Sequence, residues 1–253
     1  MTSMRMKLLV VMAIATIMAG CDSGTSGESS APPATPSPDR SPAAAAFDCP
    51  NQEEVMSSGG FVRPGALTGD VDGDGTPDTM FLAVNPDAPQ GCRAFLIVDT
   101  GSGTLLEEIS DPDVSFELGL PTLDSIVPID DRPGDEVVVR ILTGASTLFV
   151  GLFTVHDGAL VRIEVAGDAE FGNLFPSGGS VGHMEGSDCT IDGIVVTSAV
   201  PEEEGYAVTR NFYSVTETTA DPSGSEVDHV RSQNLGDRYP ELGGAPFSSC
   251  RDA

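Results

Sequence analysis

The chain has 253 residues, 39 of them acidic against 12 lysines and arginines, for a formal net charge of −27. Nucleic acid and anionic membrane surfaces are disfavoured as partners, because binding phosphate takes clustered cations. The same imbalance makes the folded chain repel itself, and bound divalent cations would relieve that.

Residues 1–20 read as an export signal. Arg5 and Lys7 form a charged start, Leu8 to Ala19 is apolar but too short to span a bilayer, and Met18-Ala19-Gly20 sets small residues before Cys21. The pattern resembles a bacterial lipoprotein signal, with Met18 where Leu is commoner. That resemblance implies cleavage before Cys21, a lipid on its sulfur, and an extracytoplasmic protein anchored to the cell membrane. An ordinary secretory signal with a chance cysteine is the alternative, and it too takes the product out of the cytoplasm. Removing the segment takes away Arg5 and Lys7, leaving 10 arginines, no lysine and a net charge of −29.

Behind Cys21, residues 22–46 are Ser, Pro, Gly, Ala and Thr with hardly an apolar anchor. Such a segment cannot offset its ordering entropy, so 21–46 is expected to be a disordered tether. Residues 47–253 are then one β-rich domain, long enough for a sizeable core. It begins with a short helix over 50–56.

Cys49, Cys92, Cys189 and Cys250 remain in that domain, an even number in an oxidising compartment, which points to two disulfides. Three connectivities are possible. Cys49–Cys92 with Cys189–Cys250 is preferred, since each pair would staple one end of the domain. Zinc fits poorly, there being no C-x-x-C and three histidines in the whole chain.

Next comes Gly69-Asp70-Val71-Asp72-Gly73-Asp74-Gly75-Thr76-Pro77-Asp78, leading into the apolar run Met80–Val84. Carboxylates at every second position and then after four can all be turned to one centre by a tightly wound loop. Crowded like charges repel, and a hard divalent ion with 6–8 oxygen ligands is the usual way to hold them. An EF-hand would carry a bidentate Glu at the twelfth position and continue as a helix; that position is Phe81, in a strand-like run. The pattern D-x-D-G-D-G-x-x-D before an apolar strand resembles instead the calcium loop of the FG-GAP and VCBS repeats of integrin-type β-propellers and secreted bacterial proteins. The resemblance implies Ca2+ held by the side chains of Asp70, Asp72, Asp74 and Asp78 and the carbonyl of Thr76.

The remaining chain reads as strands and turns: 79–84, 94–98 and 104–109 after the first loop, then 136–142, 148–155 and 159–165 after Ile129–Asp135. A third phrase runs from Asp188–Asp192 into 193–199, 206–215 and 227–230. Asp78, Asp135 and Asp192 lie 57 residues apart both times, which suggests an internal repeat. The second copy has Arg132 where a ligand would sit, and an arginine there would replace the ion's charge with its own. The third keeps only Asp188 and Asp192. Units of this length resemble propeller blades over about residues 66 to 232. The expected fold is therefore all-β, with about three propeller-like blade repeats, as an incomplete propeller or a related sheet assembly. A looser resemblance, carried by Cys189–Gly193 and Ala207–Tyr213, is to secreted bacterial lipoproteins that join one such loop to a cysteine-containing β-unit.

Two enzyme motifs weigh less. Asp99-Thr100-Gly101 looks like the Asp-Thr-Gly of aspartic proteases, where two such carboxylates share a proton, but no second copy exists and the stretch reads as a hairpin turn. Gly178-Gly179-Ser180-Val181-Gly182 beside His183 matches G-x-S-x-G without the helix that a nucleophile elbow requires. His156, His183 and His229 have no metal-ligand spacing. The expectation is a calcium-binding, lipid-anchored module that binds an envelope protein or glycan without catalysis; a hydrolase using Asp99 is the alternative.

Overall fold

The computed structural model describes residues 49–89, 91–109, 119–167, 171–180 and 182–252. The expected signal peptide, Cys21 and the 21–46 tether lie outside them. The described part is mostly strand, as expected.

Helix α1 (Gln52–Ser57) opens the domain. Its start is fixed by a capping box: Asn51 accepts the N–H of Glu54 through its side chain, and Glu54 reaches back to the N–H of Asn51. A first sheet follows as an antiparallel meander of β1 (Ala66–Gly69), β2 (Asp78–Val84), β3 (Ala94–Thr100) and β4 (Gly103–Glu108). β2 and β3 are apolar almost throughout because both their faces are covered. On one side Phe81, Ala83, Phe95 and Ile97 pack under Val55 of α1, and the Cys49–Cys92 disulfide closes this layer. On the other, Met80, Leu82, Leu96 and Val98 meet Val137, Val139, Ile141 and Phe153 of the second sheet.

That second sheet contains β5 (Thr122–Val127), β6 (Glu136–Thr143), β7 (Thr147–His156), β8 (Ala159–Arg162), β9 (Glu164–Val165), β10 (Phe175–Ser180), β11 (His183–Thr190), β12 (Gly193–Glu202), β13 (Gly205–Thr216) and β14 (Thr219–Val230). Its order is β5-β6-β7-β10-β11-β12-β13-β14-β9. β7 divides its partners, giving Thr147–Val150 to β10 and Phe153–His156 to β8. The sheet bends back on itself, so the far faces of β6 and β7 (Val138, Val150, Leu152) pack against Ile194, Tyr213, Val215 and Ala220 of β12 to β14. The outer face of β12 to β14 is capped by α2 (Leu235–Arg238) and the turns around it, through Leu235, Tyr239 and Leu242. Cys189–Cys250 pins the end of the chain to β11. Both disulfides thus follow the preferred pairing.

The first two expected units share one topology. In each, four strands form an antiparallel meander and an eight-residue loop joins the first two: Gly69 pairs with Asp78, and Val127 with Glu136. The match corrects the sequence alignment by one residue, since Glu136, not Asp135, takes the place of Asp78. The third unit departs from the pattern. Thr190 pairs with Gly193 across a two-residue turn of Ile191 and Asp192, so no wound loop exists there. Asp188 lies within β11, where its carboxylate accepts the N–H groups of Cys189 and Ser249. The equal spacing to Asp192 reflects a hairpin, not a third acidic loop.

Candidate metal centre

The loop between β1 and β2 is wound by its own acidic side chains. Asp70 accepts the N–H groups of Gly73 and Gly75, one on each carboxylate oxygen, at 2.9 Å. Asp72 accepts the N–H of Asp74 at 3.1 Å, and Asp74 that of Thr76 at 2.6 Å. These turns need positive φ at Gly73 and Gly75 (75° and 83°), which glycine adopts without strain. At the end of the loop Asp78, the first residue of β2, is 1% exposed. Its Oδ2 accepts the N–H groups of Val71 and Asp72 at 2.9 and 3.3 Å.

The winding brings carboxylate oxygens of Asp70, Asp72 and Asp78 within 4.8 Å of one another. Asp78 Oδ1 is buried there with no hydrogen-bond partner. Asp72 is pushed up from the usual carboxylate range, first by desolvation and then by repulsion from Asp78, Asp74 and Asp70, with the bond from Asp74 opposing. Of the expected ligands, Asp74 is exposed and stands outside the group of three, its Oδ1 spent on Thr76. Thr76 is likewise exposed at the loop's outer side.

The second loop repeats this winding with different charges. Ile129 N–H bonds Glu136 as Val71 N–H bonds Asp78, and Arg132 N–H bonds Asp130 as Asp74 N–H bonds Asp72. Pro128 therefore occupies the place of Asp70, and Arg132 that of Asp74. The Arg132 guanidinium turns onto Asp130 at 2.6 Å and also donates to the carbonyl of Glu217. A built-in cation thus sits where the first loop has a carboxylate. The signal for this match is present in the sequence as Val71 and Asp78 against Ile129 and Glu136, each pair seven residues apart, with Glu standing in for Asp.

The two loops touch backbone to backbone. Asp135 N–H donates to the carbonyl of Asp70 at 2.8 Å. A Cβ on Gly73 would lie 2.7 Å from the Pro133 backbone, and one on Gly134 would lie 2.7 Å from the Val71 carbonyl. Side chains have no room between them.

The other motifs fall on ordinary strand geometry. Asp99 is the last residue but one of β3 and accepts the Thr104 hydroxyl at 2.7 Å across the hairpin, whose two-residue turn is Gly101-Ser102. Ser180 and His183 pair across the β10–β11 turn, with a strand following in place of a helix. His183 Nε2 lies 3.3 Å from the Thr147 hydroxyl, His229 pairs with Glu202 at 2.9 Å, and His156 lies 3.5 Å from Asp157, so each histidine has a different partner.

Set against family models, curated proteins and solved structures, the chain matches none of them.

Proposed function

We propose that the protein is a calcium-binding, non-catalytic module held outside the cytoplasm by a lipid on Cys21, presenting its β-domain to an envelope protein or glycan. The calcium loop is that between β1 and β2, with Asp70, Asp72, Asp74, Asp78 and the Thr76 carbonyl as its ligands. The observation that carries the reading is Asp78 Oδ1, a buried carboxylate oxygen without a hydrogen-bond partner beside two further carboxylates. Left so, it costs free energy; a divalent cation offsets that cost, and acidic oxygens in a glycine-wound loop suit Ca2+. The ion's role is to fix the hairpin that rests against the second loop. Successive sheet layers packed face to face, two with the same meander, favour a blade-like arrangement for the domain.

At a free Ca2+ level of 100 times Kd, binding to the native state adds about 2.7 kcal/mol. For a domain of this size that raises Tm by about 5 to 10 °C over a chelated sample, by differential scanning calorimetry. Asp72→Ala and Asp78→Asn should each remove the difference. Equal melting of the wild type with and without chelator, and no heat on titration with millimolar Ca2+, would end the calcium reading. Lipidation is checked separately: radiolabelled palmitate should enter the wild type and not Cys21→Ser, and label in neither would refute the anchor.

A further inference from the structure

The concave side of the second sheet encloses a cavity of about 300 Å³, near the lower size for small-molecule sites. It lies away from the acidic loops and plays no part in the calcium reading. Its wall has an apolar and a polar side. Phe171 and Val196 supply apolar surface, Tyr213 an aromatic ring, and Ser198, Asn211 and Glu185 a polar edge. Glu185 is 8% exposed. Its Oε1 accepts the Ser198 hydroxyl at 3.1 Å, and Asn211 Oδ1 accepts that of Ser225 at 2.9 Å. The Ser198 bond helps to orient the Glu185 carboxylate at the polar edge.

Register explains why these groups converge. Glu185 pairs directly with Ser198, and Val196 with Asn211, so all four stand on one face of β11 to β13; Tyr213 follows two residues later on the same face. Loop residue Phe171 also lines the cavity, its ring 5.4 Å from that of Phe149.

We propose that this cavity binds a small organic cation, an alkylammonium or quaternary ammonium group. Three observations select that class. Aromatic side chains and a carboxylate lining one small space are the chemistry that stabilises a desolvated ammonium ion. No lysine, arginine or histidine lines the cavity among the described residues, so an anionic ligand would find no counter-charge. The net charge of −27 also draws cations to the surface and leaves neutral molecules unaffected.

The test is isothermal titration of the full chain with choline and with butylammonium, in saturating Ca2+ and again with chelator. The uncharged isostere 3,3-dimethylbutan-1-ol and N-acetylglucosamine serve as comparisons. Choline or butylammonium should bind at least tenfold more tightly than the isostere, and N-acetylglucosamine should give no heat. Glu185→Gln keeps the shape and an acceptor for Ser198, and should weaken the ammonium ligands on the order of tenfold; Phe171→Leu should weaken choline several-fold with Tm unchanged. Equal affinity for choline and the isostere, binding of the sugar alone, or no binding in either calcium condition would overturn the proposal. Ammonium binding that persists in chelator while Ca2+ gives no heat would leave this site standing and the calcium reading refuted.

Discussion

Asp78 and Glu136 are the same position in two copies of one loop, and they meet burial differently. Asp78 keeps an unpartnered oxygen among carboxylates, whereas Glu136 lies in a loop whose counter-charge, Arg132, is part of the chain. Burial, with repulsion from Asp130, nonetheless pushes Glu136 up to about 7, against the bond from Ile129 N–H and the pull of Arg132. The folded state therefore holds this proton more tightly than the unfolded chain does. The contribution of Glu136 to stability is most favourable below about pH 4.5 and is lost as pH rises to about 7, by up to about 3 kcal/mol. Glu136→Gln, which can still accept the Ile129 N–H, should flatten stability between pH 5 and 7 relative to the wild type in urea melts at each pH. A parallel pH profile for the two proteins would show that Glu136 is ionised throughout.

Elements here are held as much by what crosses them as by their own propensity. β2 and β3 carry apolar residues on both faces, and a strand so composed is legible as buried on two sides. β10 and β11 are different. They contain three glycines, with Gly186 under the Glu241 backbone and Gly178 at φ 102°, and their apolar alternation is weak. They are strands because β7 and β12 offer ladders on either side, which a reading of local pattern misses. The C-terminal segment depends similarly on tertiary contact: α2 has four residues and no side-chain cap, and Cys189–Cys250 ties the end of the chain to β11. Replacing both cysteines by alanine should cost about 4 kcal/mol in denaturant unfolding, a 61-residue separation being closed by the bond. Hydrogen exchange should quicken first around Phe247 and in β11. Unchanged stability and exchange would mean that packing of Phe247 against Phe175 holds the segment alone.

The whole chain carries a formal charge of −27, and its described residues form a stack of sheet layers whose cores are separate clusters rather than one mass. Self-repulsion acts against that stack, and screening should relieve it. Raising NaCl from about 0.01 to 0.15 M shortens the screening length from roughly 30 to 8 Å, so Tm in chelator should climb across this range. A flat or falling Tm would mean that ion pairs such as Arg140–Asp124 and Arg210–Glu226 outweigh the general repulsion. The shared topology of β1–β4 and β5–β8 places the two eight-residue loops against each other, and Gly73 and Gly134 make that contact by having no side chain.

The amino-acid sequence by itself determined the acidic loop, the strand-rich class, the presence of two disulfides and Arg132 as the odd residue of the second loop. Each depends on short-range spacing or on the counting of a few scarce residues. Tertiary structure alone decided that Glu136 answers to Asp78, that Asp192 sits in a two-residue turn, and that Glu185, Ser198, Asn211 and Tyr213 share one cavity. Those outcomes follow from strand register, where a shift of one residue turns every side chain to the other face, and register is set by partners distant along the chain.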